Sequence, residues 1–240
     1  MNKERTPGRL PLPPLIPGVL LKRYKRFLAD VRLETGEIVT AHCPNSGSMK
    51  GCAEPGRPVY LSRSSNPKRK LPYTWELIRM SGSLVGVNTL LPNRLVCEAI
   101  SCGQIDPLRG YPNIDREVGI GNRSRIDMML SGGDLPRCYV EVKNCTWVRE
   151  GIARFPDAVT ERGRKHMAAL QELAGRGFRA AVFFLVQRMD AQVFRPAREL
   201  DPAYSEALRN AAKAGVEVLA YDVNLTLKSI QIRRPLTIET

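Results

Sequence analysis

Apolar and polar side chains alternate along residues 27–33. Phe27, Ala29, Val31 and Leu33 fall on one face, and Leu28, Asp30 and Arg32 on the other. A period of two predicts a half-buried strand. Glu34-Thr35-Gly36-Glu37 reads as a turn into a second strand over 38–43. Runs at 58–63, 73–80 and 83–87 fit the same description, and no amphipathic helix separates them. Short strands at this density predict a small barrel of the oligonucleotide-binding type, and an SH3-like barrel fits nearly as well. Pro7, Pro11, Pro13, Pro14 and Pro17 ahead of it predict an extended arm, because proline removes donors and fixes φ.

The rhythm changes after Asn88. Residues 90–102 read as a helix, with Pro92 near its start and Gly103 past its end. Strands are predicted at 115–120, 124–130 and 137–147, then a helix over 160–174 closed by Gly175. The continuous apolar run 180–186 suits a central strand covered on both faces. A helix at 202–214, a buried strand at 216–223 and an edge at 229–233 complete the order. Alternation of this kind predicts a mixed sheet flanked by helices. The expected division is 1–86 for arm and barrel, and 87–240 for the α/β part.

Charge narrows the partner. Thirty-seven Lys+Arg face 24 Asp+Glu in 240 residues, a formal charge of +13. Such an excess suits a polyanion, most economically nucleic acid, through phosphate contacts and counterion release. Lys22, Arg23, Lys25 and Arg26 stand at the entry to the barrel, and Lys68, Arg69 and Lys70 share one loop. Tyr24, Tyr73 and Trp75 are interleaved with them. Cations beside aromatic platforms bind single strands, so Trp75 is either a stacking surface or a core residue. No run of about 18 apolar residues predicts a membrane span, and the polar stretch 1–9 does not resemble a secretory signal. The cytoplasm is the expected location. The six cysteines form no Cys-x-x-Cys pair, and His42 and His166 are the only histidines. Zinc is therefore not expected, and reduced core thiols are.

The candidate chemistry lies at Asp127 and Glu141-Val142-Lys143. Residues i and i+2 of a strand share a face, so Glu141 and Lys143 emerge together with Val142 behind them. A hairpin through Ser131-Gly132-Gly133-Asp134 would bring Asp127 alongside. Two carboxylates can hold a hard cation, and a lysine can orient or deprotonate a water. The same spacing also describes a solvated Glu–Lys pair. Yet the flanking residues, Met128 to Leu130 and Tyr139 to Val142, are otherwise built for burial, where a charge is costly unless paired. Glu98 on the preceding helix is either a further ligand or a surface glutamate. Arg162 and His166 share a helix face, as do Glu161 and Lys165. With Arg164 they form a basic helix start that suits a substrate phosphate or is simply solvated.

Several segments together carry a resemblance. They are Cys43-Pro44-Asn45-Ser46-Gly47-Ser48-Met49, Val87-Asn88-Thr89 with Leu91-Pro92-Asn93-Arg94, and Ser124-Arg125-Ile126-Asp127. Val140-Glu141-Val142-Lys143-Asn144 and Phe155-Pro156-Asp157-Ala158 through Thr160-Glu161-Arg162-Gly163-Arg164-Lys165-His166 complete the set. The helix-strand-strand-strand-helix-strand order with Asp…Glu-x-Lys resembles the PD-(D/E)xK, restriction-endonuclease-like nucleases. More closely, nearly the whole chain resembles the sugar fermentation stimulation protein A family. That resemblance implies an oligonucleotide-binding barrel joined to a DNA-binding, nuclease-like domain, linked to regulation of sugar (maltose) metabolism. It also implies Asp127 and Glu141 as metal ligands, with the Val142 carbonyl, Glu98 as the acid of the first helix and Lys143 as the catalytic lysine. Mg²⁺ or Mn²⁺ is the cofactor expected. Ile126, Cys145 and Trp147 depart from the residues expected there, but at packing positions. Two readings stand: a Mg²⁺-dependent deoxyribonuclease gripping DNA through Arg162, Arg164, Lys165 or His166, and a DNA-binding regulator that keeps the fold without cleaving.

Overall fold

The chain, as a computed structural model, is described at residues 7–120 and 124–240. Residues 1–6 of the expected arm lie outside that description. The rest of the arm does not belong to the barrel alone. Strand β1 (Arg9–Pro11) pairs antiparallel with a strand near the C-terminus, Leu10 opposite Ile230, and so becomes an edge of the large sheet.

The barrel starts earlier than the alternation suggested. Strand β2 (Leu15–Tyr24) passes through Pro17 and is its central strand, followed by β3 (Leu28–Leu33) and β4 (Ile38–His42). Pairing of β2 with β3 begins only at Gly18, so Pro17 has a strand neighbour on one side and its missing N–H is tolerated. Strands β5 (Pro58–Arg63), β6 (Tyr73–Arg79) and β7 (Leu84–Gly86) follow. The order is β4-β3-β2-β5-β6-β7, and β4 also pairs in parallel with β6 at Ala41 and Tyr73. That last pairing closes five strands into a barrel of the oligonucleotide-binding form rather than the SH3-like one.

Trp75 is not a stacking surface. It is fully buried, and its indole N–H donates to the Leu77 carbonyl at 2.9 Å. Strand β6 is buried from Thr74 to Ile78 because it is covered twice. Trp75 and Ile78 fill the barrel, whereas Leu77 joins the core of the neighbouring sheet. A strand wrapped on both faces shows no alternation, so its tryptophan reads equally well as core or platform.

The second part opens with helix α1 (Leu91–Ser101), a single 3-10 turn at Asp106–Leu108, and strands β8 (Asn113–Ile120), β9 (Ser124–Ser131) and β10 (Cys138–Cys145). The expected long strand over 137–147 ends at Cys145. Short strands β11 (Trp147–Arg149) and β12 (Ile152–Phe155) follow, then helix α2 (Glu161–Gly175), β13 (Arg179–Val186) and β14 (Val193–Pro196). Helix α3 (Pro202–Lys213), β15 (Glu217–Leu225), β16 (Ser229–Pro235) and β17 (Thr237–Ile238) end the chain. The large sheet is mixed, in the order β1-β16-β15-β13-β10-β9-β8. A smaller sheet, β11-β12-β14-β17, was not legible in the pattern, since its strands are too short to show a period.

Alternation along β10 decides what faces what. Val140 and Val142 join the apolar layer under α1, with Phe183, Leu185 and Val223. Tyr139 and Cys145 join the opposite layer under α2 and α3, with Val182, Phe184, Leu170 and Leu208. Leu77 and Leu84 of the barrel share the α1-side core, which fastens the barrel to the sheet. No helix among the described residues is long and apolar enough to cross a membrane.

Candidate active site

Strands β9 and β10 form the expected hairpin, with Gly132 and Gly133 at positive φ in its turn. Their pairing stops at Val140 opposite Met128. Asp127 sits where the ladder opens, and its carboxylate replaces the next rung. Oδ2 accepts the Val142 N–H at 2.7 Å. The carbonyl of Val142 leaves the strand on the same edge as that N–H. Oδ1 of Asp127 accepts from the side-chain amide of Asn93 on α1, also at 2.7 Å.

Glu141 and Lys143 leave β10 on the α2 side, as the period of two requires. Lys143 Nζ donates to Glu141 Oε1 at 2.6 Å. His166, on the second turn of α2, hydrogen-bonds the same oxygen through Nδ1. Lys143 Nζ also lies 3.1 Å from that Nδ1, and Nε2 accepts weakly from Arg162 Nε at 3.4 Å. Glu141 is only 2% exposed, and its second oxygen, Oε2, is buried with no hydrogen-bond partner among the described residues.

Two carboxyls in one site have been pushed apart. Burial would raise Glu141, but the His166 hydrogen bond and the Lys143 charge outweigh it and hold the carboxyl below its ordinary value. Burial raises Asp127, and the Glu141 charge raises it further, against the Val142 N–H, the Asn93 amide and Lys143. Such divergence is characteristic of functional carboxylates.

Helix α2 is held in place by its start. Thr160 caps it by accepting the Gly163 N–H at 3.0 Å. The Thr160 N–H donates in turn to Asp201 Oδ2 at 2.8 Å, while Asp201 Oδ1 caps α3 through the Tyr204 N–H. The barrel is tied to the same corner. Asp157 accepts the Met49 N–H at 2.8 Å, and the Asp157 carbonyl accepts from Ser48 Oγ at 2.5 Å. The segments Cys43–Met49 and Phe155–Thr160 that carried the resemblance thus meet in space.

Other expected site residues divide. His166 is a buried partner of Glu141 and not a phosphate-gripping side chain on the surface. Glu98 is half-buried, and no hydrogen bond or ion pair joins it to Asp127 or Glu141 among the described residues. It lies five residues, about 140° around the helix, from Asn93, so α1 presents an amide rather than an acid to Asp127. No group of three or more His, Cys, Asp or Glu among the described residues is spaced to hold a metal. Asn93 had no chemical signal of its own, only its place in a family segment. Of the basic residues, Lys25, Arg26, Lys68, Lys70, Arg162 and Lys165 are exposed, with Lys165 paired to Glu161 at 2.9 Å, and Arg164 is half-buried. Lys22 pairs with Asp30 at 3.4 Å, and Arg69 donates to Thr74 Oγ1 at 2.8 Å. Arg23 is structural: it donates to the carbonyls of Asn45 and Gly47, each at 2.8 Å, and ties the loop after β4 to the barrel end.

An oligonucleotide-binding barrel ahead of a restriction-endonuclease-like sheet, with Asp…Glu-x-Lys gathered where two strands part, defines the class of this protein. Comparison with known proteins then gives the family. Residues 21–87 match the model described as the SfsA N-terminal OB domain, and residues 90–229 match the sugar fermentation stimulation protein RE domain. The chain belongs to the sugar fermentation stimulation protein family. It is 54% identical over 230 residues to the sugar fermentation stimulation protein homolog of Geotalea uraniireducens, covering 96% of this chain and 99% of that one. The homolog of Geobacter sulfurreducens is 53% identical over 225 residues, covering 94% and 96%. The solved structure of Pyrococcus furiosus SfsA in complex with Ca²⁺ superposes with a TM-score of 0.89 at 27% identity, covering 98% of this chain and all of that one.

Proposed function

We propose that this protein is a DNA-binding, Mg²⁺-dependent nuclease whose site is Asp127, Glu141 and Lys143. The observation that carries the reading is the meeting of these three groups with an acid oxygen left over. Glu141 Oε2 is buried and unpartnered, and Asp127 is destabilised by the neighbouring acid. Both facts suit a cation between the two carboxylates. Those carboxylates and the Val142 carbonyl are hard oxygen donors that would hold it. A relative solved with Ca²⁺ supports a divalent ion, and Mg²⁺ takes the same donor type with tighter geometry. When bound, the ion would supply positive charge against a phosphate oxygen and make water a better nucleophile.

The chain's own residues do the rest. Asn93 and the Val142 N–H fix both oxygens of Asp127. His166 and Lys143 fix Oε1 of Glu141 and leave Oε2 free. Lys143, 12% exposed at its side chain, can orient a water or take its proton. Exposed Arg162 and the basic barrel loop would hold neighbouring phosphates.

A second reading keeps DNA binding and regulation of sugar (maltose) metabolism without cleavage. It is favoured by the two intramolecular partners of Glu141 Oε1, which balance charge with side chains alone. The test is incubation of single- and double-stranded DNA with Mg²⁺ or Mn²⁺ beside Glu141→Gln and Lys143→Ala. Cleavage lost in both variants supports the nuclease. Binding by the wild type without any metal-dependent cleavage leaves the regulator.

A further inference from the structure

An open cleft of about 570 Å³ runs between the barrel and the start of α2. Arg23 and Arg26 line it on the barrel side, and Phe155 through Thr160 on the other. Its net charge is positive, because Arg23 and Arg26 outnumber Asp157, the acid in its wall. Arg23 is pinned to backbone carbonyls but keeps its charge. Arg26 is exposed and has no ion-pair partner among the described residues.

Apolar surface is also exposed here, against expectation for a cationic cleft. Val159 in its wall is 69% exposed, and Phe27, which follows Arg26 in the chain but is not part of that wall, is 50% exposed. The turn that presents Phe27 is strained. Lys25 and Arg26 have φ of 49° and 64°, a left-handed pair at which Gly or Asn is the unstrained choice. Strain kept at a surface turn points to the side chains it displays.

A free cation beside exposed flat or apolar side chains matches one ligand chemistry. A single nucleic-acid strand presents phosphates and unstacked base faces together, whereas a duplex hides its bases. Thr160, the cap of α2, lines the cleft, and His166 lies six residues on, about 9 Å along the helix axis.

We propose that this cleft and the Lys25–Phe27 turn beside it form a channel for single-stranded DNA, with phosphates on Arg26 and bases against Phe27 and Val159. It rests on the nuclease reading and names its substrate as single-stranded rather than duplex. Trp75, which sequence alone offered as the stacking residue, is replaced in that role by Phe27.

Fluorescence anisotropy in EDTA tests it, with a labelled oligonucleotide of about 16 nucleotides, the upper site size of one such barrel, and a duplex of equal length. The single strand is expected to bind at least tenfold tighter than the duplex. Phe27→Ala should weaken the single strand by about 5- to 100-fold, the loss of one stacked base, and leave the duplex within twofold, with Phe27→Trp restoring affinity. Arg26→Gly removes the cation and relieves the turn, so it should raise the melting temperature while weakening the single strand at least fivefold. Equal affinity for duplex and single strand, or no effect of Phe27→Ala, overturns the channel. Because no metal is present, these outcomes are separate from cleavage. A Glu141-dependent nuclease indifferent to Phe27 loses only the channel, and a Phe27-dependent binder that never cleaves loses only the nuclease.

Discussion

His166 and Glu141, twenty-five residues apart, share a hydrogen bond on the oxygen that Lys143 also reaches, leaving the other oxygen of Glu141 bare. The histidine therefore positions the carboxylate instead of touching phosphate.

For that reason His166→Ala is expected to lower metal-dependent DNA cleavage at least tenfold, a typical loss for a group that orients a ligand. DNA affinity in EDTA should stay within twofold, read by anisotropy. A large loss of affinity with normal turnover would restore the histidine to a phosphate-binding role.

Lys68 and Lys70 are exposed on one barrel loop, whereas Arg69 is engaged with Thr74. The double variant Lys68→Ala, Lys70→Ala should reduce the slope of log affinity against log salt by about 1–2 for duplex DNA, close to one unit per phosphate contact. A salt titration of wild type and variant measures it. An unchanged slope would place the DNA elsewhere.

Buried thiols make the fold sensitive to alkali. Burial pushes Cys138 and Cys145 up to about 12 and Cys52 up to about 11, against 9.0 for a free thiol. The folded state thus keeps protons that the unfolded state releases. The contribution is intact below pH 9 and is lost as pH rises from about 9 toward 11–12, at about 1.4 kcal/mol per thiol per pH unit. Urea denaturation at pH 8 to 10.5 should show the decline, flattened in Cys138→Ala. In the native protein a thiol reagent should label exposed Cys102 first and spare Cys43, Cys52, Cys138 and Cys145.

Asp201 is 2% exposed and spends both oxygens on helix starts, on Thr160 N at 2.8 Å and Tyr204 N at 2.9 Å. Asp201→Ala removes one cap and orphans a second, part-buried N–H, for a loss of about 2 kcal/mol. Asp201→Asn keeps an acceptor and should cost less than half as much. Chemical denaturation of the three proteins decides it.

Local pattern was enough for what depends on neighbours in the chain. The alternation from Tyr139 to Lys143 put Glu141 and Lys143 on one face, the glycines at 132 and 133 made the hairpin, and most barrel strands showed in their own period. These features are legible because side-chain direction repeats every two residues in a strand, whatever packs on it. Strand β2 hid behind Pro17, and β11, β12, β14 and β17 were too short to show a period. Tertiary structure alone decided that Asn93, not Glu98, meets Asp127, that His166 turns inward to Glu141, and that Trp75 is core. It also carried β1 out of the barrel to pair with β16. Each of those outcomes depends on which surface covers a given face, and coverage is set by contacts between residues far apart in the chain, on which local periodicity is silent.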